Sequence, residues 1–428
     1  MEAVVGFSIF LSVFEFYLLV RQRRRYYSTQ PPPELAELVP RDKFDQSQHY
    51  GRAKSALTMV EMVVSTLTSV YFLMYGVYPR LWNVSLEVMT RVNPEWSDAN
   101  EIVRTLVFAG LLYVIGKVCG LPFEVYSTFI VEKRFGFNRT TVGTFIKDEI
   151  LGALVTAVLG GVILPTLWYI IDRGGSNLWI KFYLFCTFFM LLMTIIFPNL
   201  IAPLFNKFVP LEEGELRSRV YDMASSIRFP LGKIYVMDGS KRSTHSNAYF
   251  YGVFTKGIVL FDSLLEQCKG KDNEVLAVLC HELGHWKKGH TRKGLTIRLA
   301  HLFLLSWLYG KTAGNVHLFE SFGFSDQPHI IGLILFSLIL TPLESAIELP
   351  MNWLSRLHEY QADAFAVHFG YEKALCSALV NMHIENLSNC NPDPLYSAYH
   401  NSHPTLAERL GALQTFSREL ESSKPKAE

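Results

Sequence analysis

Residues 273–290 read NEVLAVLCHELGHWKKGH. Asp272 and Asn273 are candidate caps, and Val275, Leu276, Val278 and Leu279 recur at helical spacing, so the stretch predicts a helix. On that helix His281 and His285 stand four residues apart on one face, where two imidazole nitrogens can share a zinc ion at about 2.0–2.1 Å. Glu282 beside them can reach a metal-bound water. A catalytic zinc needs a third protein ligand and one open position. His290 is close, but the arrangement HExxHxxGxxH demands glycine and histidine where this chain has Lys288 and Thr291, so His290 is set aside as a ligand.

The better candidate lies at 355–363, SRLHEYQAD, which predicts a second helix ending near Gly370. Glu359 and Asp363 fall on one face, so Glu359 can ligate zinc while Asp363 hydrogen-bonds the free nitrogen of a ligand histidine. An acidic pair on a helix is ordinarily a solvated face; the HExxH helix is what gives this pair a task. His358 and His368 are weaker alternatives. With these roles, Glu282 takes a proton from the attacking water and passes it to the leaving amine, and the reaction is peptide hydrolysis. His403 and Arg409, in SHPTLAER at 402–409, can supply a cation or donor to the developing oxyanion. A helix start and a structural ion pair explain them equally well. SNAYFYG at 246–252 and GIVLF at 257–261 predict a hairpin of short strands. An extended peptide can add itself to such an edge, unless the hairpin is simply part of a core.

Outward from these segments the chain turns apolar. Of 428 residues, 50% are hydrophobic and only 18% charged, which points to a membrane protein. Stretches near 4–20, 56–78, 105–130, 149–171, 178–203, 295–312 and 329–349 are long enough to cross about 30 Å of hydrocarbon. Arg21, Arg23, Arg24, Arg25, Arg41, Lys43, Arg52 and Lys54 follow the first span, and Lys133, Arg134, Arg139 and Lys147 follow the third. By the positive-inside rule the amino terminus is lumenal, and the segments around both zinc helices are cytosolic. The first span lacks a basic leading segment and a cleavage site, so it predicts an uncleaved anchor. Four regions result: 1–205 with spans one to five, 206–294 with the HExxH helix, 295–349 with spans six and seven, and 350–428 with the third ligand. Glu15, Glu61, Arg104, Lys117, Glu124, Arg298, Glu344 and Glu348 fall within or at the ends of apolar stretches. Such residues face a hydrated interior or snorkel from helix ends. Asn83-Val84-Ser85 predicts a lumenal glycan acceptor, residues 30–40 an extended Pro-rich loop, and the six scattered cysteines reduced structural residues. A net charge of +1 gives no reason to expect nucleic acid.

The motifs together resemble a known family, the integral-membrane zinc CAAX prenyl proteases. The resemblance runs over nearly the whole chain and is carried by EKRFGFN at 132–138, SNAYFYG at 246–252, GIVLFDSLL at 257–265, HELGHWKKGH at 281–290, RLHEYQADAFA at 356–366 and SHPTLAERL at 402–410. It implies a mainly α, polytopic protein: seven transmembrane helices around a hollow, water-filled chamber, with a cytosolic zincin-like protease domain and a small β-hairpin. One zinc ion per chain would be held by His281, His285 and Glu359, with Asp363 behind them, Glu282 as general base, and His403 and Arg409 near the transition state. Asn247, Ala248 and Tyr249 match the family's substrate-lining strand. The implied substrates are prenylated CAAX proteins, which lose their last three residues; no oligomer is required. The implied address is the endoplasmic reticulum or inner nuclear membrane, with which the dilysine pattern of Lys424 and Lys426 agrees. Two other readings compete: a quality-control metalloprotease that cuts damaged membrane proteins with the same centre, and a non-catalytic receptor or scaffold whose histidines are structural.

Overall fold

A computed structural model describes residues 1–96, 100–252 and 255–423; the dilysine pattern lies outside the described residues. Leu-, Phe- and Val-rich sequence builds helices α1 (Glu2–Arg25), α2 (Arg41–Met74), α3 (Val77–Val92), α4 (Glu101–Tyr126), α5 (Val142–Asp172) and α6 (Leu178–Ile196). A π-helical turn at Ser127–Glu132 prolongs α4, and another at Phe197–Ile201 follows α6. A small α/β layer comes next: β1 (Phe208–Pro210), α7 (Glu215–Ser226), β2 (Leu231–Met237), β3 (Ala248–Tyr251), β4 (Lys256–Phe261) and α8 (Asp272–Lys287). Helices α9 (His290–Thr312), α10 (His329–His368), α11 (Glu372–Glu385), α12 (Pro394–His400) and α13 (Leu406–Ser423) complete the chain.

Six helical segments among the described residues are long and apolar enough to cross a bilayer: α1, α2, Glu101–Glu132, α5, Gly175–Phe205 and α10. The shortest has 24 residues, about 36 Å at 1.5 Å per residue. The remaining stretch read as a span, 295–312, is helical but does not reach that hydropathy, because α9 carries Arg292, Lys293, Arg298 and Lys311. It nevertheless runs antiparallel along α10. His290 stacks on His358 at 4.0 Å, His301 Nε2 lies 3.2 Å from Glu344 Oε1, and Tyr309 meets Phe336 at 5.2 Å between ring centroids.

The spans do not close on a packed core. No residue of α5 is buried, and Leu178 alone is buried in α6. These two helices therefore touch their neighbours while contributing little to a buried core. Packing concentrates at the two ends of the bundle. At one end Trp82, Phe108, Phe319, Phe324 and Ile331 form a plug, on which Arg104 stacks over Trp82 at 4.2 Å. At the other sits the main core, where Ile234, Ile258 and Leu260 of the sheet meet Val220 of α7, Leu276 and Leu279 of α8, Ala366 of α10 and Leu375 of α11.

The hairpin read from sequence is the outer half of a four-stranded sheet of order β1-β2-β4-β3. β3 pairs antiparallel with β4, with Tyr249 opposite Val259; β4 runs parallel to β2, and β1 antiparallel to β2. No strand among the described residues covers the other edge of β3. The seventh span and the second site helix, read separately, are one 40-residue helix that passes through Pro342 and Pro350. The segment at 355–363 is therefore the continuation of a membrane helix.

Candidate metal centre

The capping expectation at the start of α8 needs correction. Asp272 and Asn273 lie at its start as helical residues rather than caps, and Lys271 precedes the helix without a side-chain cap. Asp272 and Glu274 instead place negative charge in the first turn, where the helix dipole favours it. Nearly every residue from Glu274 to Gly284 is buried, so α8 is a core helix pressed against α10. Gly284 sets that approach: a Cβ there would lie 3.2 Å from Ala362 Cα and from Phe365 Cβ. Gly289, at φ +71°, then folds the chain back into α9 in a backbone conformation that favours glycine.

This crossing brings three donors to one point. His281 Nε2 and His285 Nε2 are 3.2 Å apart, and Glu359 offers Oε2 at 3.5 Å from the first and Oε1 at 3.2 Å from the second. Two nitrogens sharing a tetrahedral ion at about 2.05 Å would stand ~3.3 Å apart, so the spacing fits. Glu359 Oε2 is buried and accepts no hydrogen bond of ordinary geometry, although His403 Nδ1 lies 2.9 Å from it. A buried carboxylate oxygen left in that state suits a cation. Two imidazoles and one carboxylate, with no fourth donor grouped with them among the described residues, form the donor set of a catalytic metal. His358 and His368 are outside this group; His358 lies against His290 and His368 is exposed.

Around the three donors the polar contacts are dense. Asp363 Oδ1 is 2.8 Å from His281 Nδ1, and Asp363 also takes a fork from Arg409, whose Nε donates to Oδ2 at 2.9 Å and whose terminal nitrogen donates to Oδ1 at 2.6 Å. Arg409 also reaches Glu359 Oε2 at 3.6 Å. His285 Nδ1 faces His290 Nδ1 at 3.0 Å, and His290 Nε2 lies 2.8 Å from Gln361 Oε1. Burial opposes charge on His281, but the hydrogen bonds to Asp363 and Glu359 outweigh it and lift its pKa to about 9. Burial raises the Glu282 carboxyl, helped by the charge of Glu359 and countered by His281 and His285. Burial pushes His290 down to about 4. A carboxyl raised in this way beside two histidines is a stronger base than an exposed glutamate, the direction that proton transfer favours.

The residues read as a substrate strand lie at the sheet's edge beside α8. Asn247 is exposed, Ala248 is buried on the core side, and Tyr249 faces the opposite side of the sheet. The segment before β3 is pinned from the membrane half: Arg242 forks onto Asp148 at 2.7 and 2.8 Å, and His245 stacks on Phe137 at 4.3 Å. His403 is held less directly. Asp393, gripped by Arg21 at 3.1 Å, starts α12, while Arg356 and Asn352 of α10 donate to carbonyls at its end. The chain after α12 then delivers His403 to Glu359. The sequence reading did not single out Asp148, Arg242, Arg356, Asp393 or Gln361, because each acts through contacts of long sequence separation; only the Asp393–Pro394 pair carried a local cue, as a helix start.

Comparison with known proteins agrees with this architecture along the chain. Residues 22–207 match a family described as the CAAX prenyl protease N-terminal region with five membrane helices, and residues 210–417 match peptidase family M48. The CAAX prenyl protease 1 homolog of Arabidopsis thaliana is 44% identical over 416 residues, covering 96% of this chain and 97% of the relative. The Homo sapiens homolog is 40% identical, covering 96% of this chain and 95% of its own length. The crystal structure of S. mikatae Ste24p superposes with a TM-score of 0.90 at 38% identity, over 96% of this chain and 98% of that one.

Proposed function

The chain belongs to peptidase family M48, and from that premise we propose that it is a zinc-dependent endopeptidase that removes the C-terminal tripeptide from prenylated CAAX proteins. The observation that carries this reading is the convergence of His281, His285 and Glu359 on one point, in a chain matched end to end by CAAX prenyl proteases. The multi-pass bundle belongs in the endoplasmic reticulum membrane, or its inner nuclear continuation, with the sheet and both metal helices on the cytosolic side. That orientation needs a seventh crossing, which α9 supplies by running back beside α10.

In this reading His281, His285 and Glu359 hold the ion. Zinc bound there would lower the pKa of water and polarise the scissile carbonyl. Glu282, its carboxyl raised by burial, accepts a proton from the attacking water and delivers it to the leaving amine. His403 and Arg409, at 2.9 and 3.6 Å from Glu359 Oε2, donate toward the oxygen that gains charge. The free edge of β3, with Asn247, Ala248 and Tyr249, aligns an extended substrate by main-chain hydrogen bonds.

The test is cleavage of a farnesylated CAAX peptide and its unprenylated twin by the detergent-purified protein, with and without a zinc chelator. Tripeptide release from the farnesylated peptide should be abolished by chelation and fall by about 10²–10⁴-fold in Glu282→Ala. Equal cleavage of both peptides would move the assignment to general membrane-protein quality control. A folded protein that retains no zinc would overturn the metalloprotease reading itself.

A further inference from the structure

One line of side chains leads away from the metal centre and joins the two helices that build it, α8 and α10, through the first residue of α9. His285 on α8 presents Nδ1 to Nδ1 of His290, the first residue of α9, at 3.0 Å. His290 presents Nε2 to Oε1 of Gln361, two residues beyond Glu359 on α10, at 2.8 Å. Both histidines belong to the motif at 281–290, yet the ligand set uses only one of them. His290 is buried, at 6% exposure, and its ring lies parallel to that of His358 at 4.0 Å and 11°. It is therefore fixed in plane and position.

The direction of the hydrogen bonds follows from the ends of the line. A carbonyl oxygen only accepts, so Nε2 of His290 carries the proton that goes to Gln361. A neutral imidazole with its proton on Nε2 has a lone pair on Nδ1, so His290 accepts from His285. The proton of His285 is then on Nδ1, and its Nε2 presents a lone pair toward Glu359 and His281. Reversed, the line would aim an N–H at the place where a ligand atom is needed.

We propose that His290 and Gln361 are positioning residues that set the tautomer and ring orientation of His285, as Asp363 does for His281. The inference rests on the metal reading above, since a tautomer matters here only if His285 is a ligand. It also gives a role to a histidine five residues after the second ligand that is not itself a ligand.

Zinc retention against a competing chelator tests this on the full-length protein in detergent. The variants are His290→Phe, which keeps a stackable ring without nitrogens, Gln361→Leu, which removes the acceptor, and Gln361→Glu, which keeps an acceptor at the same atom. The first two should hold zinc about 10–100-fold more weakly, and Gln361→Glu should hold it as tightly as the parent. With cobalt(II) in place of zinc, the visible spectrum of His290→Phe should shift and that of Gln361→Glu should not. Parental zinc affinity in both His290→Phe and Gln361→Leu would overturn the proposal. So would an equal loss in Gln361→Leu and Gln361→Glu, which would indicate packing alone. A parent protein that holds no zinc would instead remove the reading on which the proposal stands.

Discussion

Asp363 joins two charged groups through one carboxylate: Oδ1 meets His281 Nδ1 at 2.8 Å while Arg409 forks across both oxygens. A buried anion so shared fixes the His281 ring and keeps Arg409 next to Glu359. Asp363→Ala should therefore weaken zinc binding about 10–100-fold, measured by chelator competition, and leave a buried guanidinium without its carboxylate. Zinc affinity equal to the parent would show that His281 needs no such partner. The pairing of Glu359 with Asp363 was legible in the sequence, because a spacing of four on a helix puts two side chains on one face. The tie of Gln361 to His290 was not, because its partner is 71 residues away.

At the scale of elements, α8 has to be held at both ends. Gly284 lets its carboxyl-terminal half touch α10. At its start Glu274 accepts from Ser377 Oγ at 2.7 Å and Asn381 Nδ2 at 2.9 Å on α11, with Lys271 at 3.1 Å. Burial works against the charge on Glu274, but these contacts outweigh it and hold its carboxyl below the usual range. A carboxylate depressed in the folded state stabilises it above the unfolded pKa, and that contribution disappears as pH falls through the folded value. Glu274→Gln should thus cost about 1–3 kcal/mol at pH 7, read as a lower Tm, and the gap to the parent should narrow below pH ~4.5. A gap that stays constant from pH 7 into the acid range would sink the argument. α10 couples the halves, since one helix runs from the membrane plug at Ile331 to Asp363. Its sequence reads as two elements because apolar composition stops near Leu349, whereas the backbone continues through Pro350, whose ring removes one hydrogen bond and kinks a helix without having to end it.

For the whole molecule, α9 decides the topology. If it crosses beside α10, Lys288 and the exposed Glu320 lie on opposite faces of the membrane. In a cysteine-free background, an impermeant maleimide should label Lys288→Cys in intact microsomes and Glu320→Cys only after permeabilisation. Labelling of both in intact vesicles would rule the crossing out. The hydropathy of α9 is low because it carries Arg292, Lys293, Arg298, His301 and Lys311, and in the crossing reading His301 is paired with Glu344 at 3.2 Å rather than left against lipid. The sequence by itself determined six of the seven helices read as spans, the HExxH helix and the common face of Glu359 and Asp363, because hydropathy and helical spacing are local properties written residue by residue. Only the tertiary structure decided that the strands form a four-stranded sheet in which no described strand but β4 pairs with β3, that the seventh apolar stretch and the second site helix are one helix, and that Gln361, Arg356 and Arg242 stand behind the site. Those features depend on which distant segments meet, and contacts of long separation are selected by packing the whole chain at once rather than by any stretch of it.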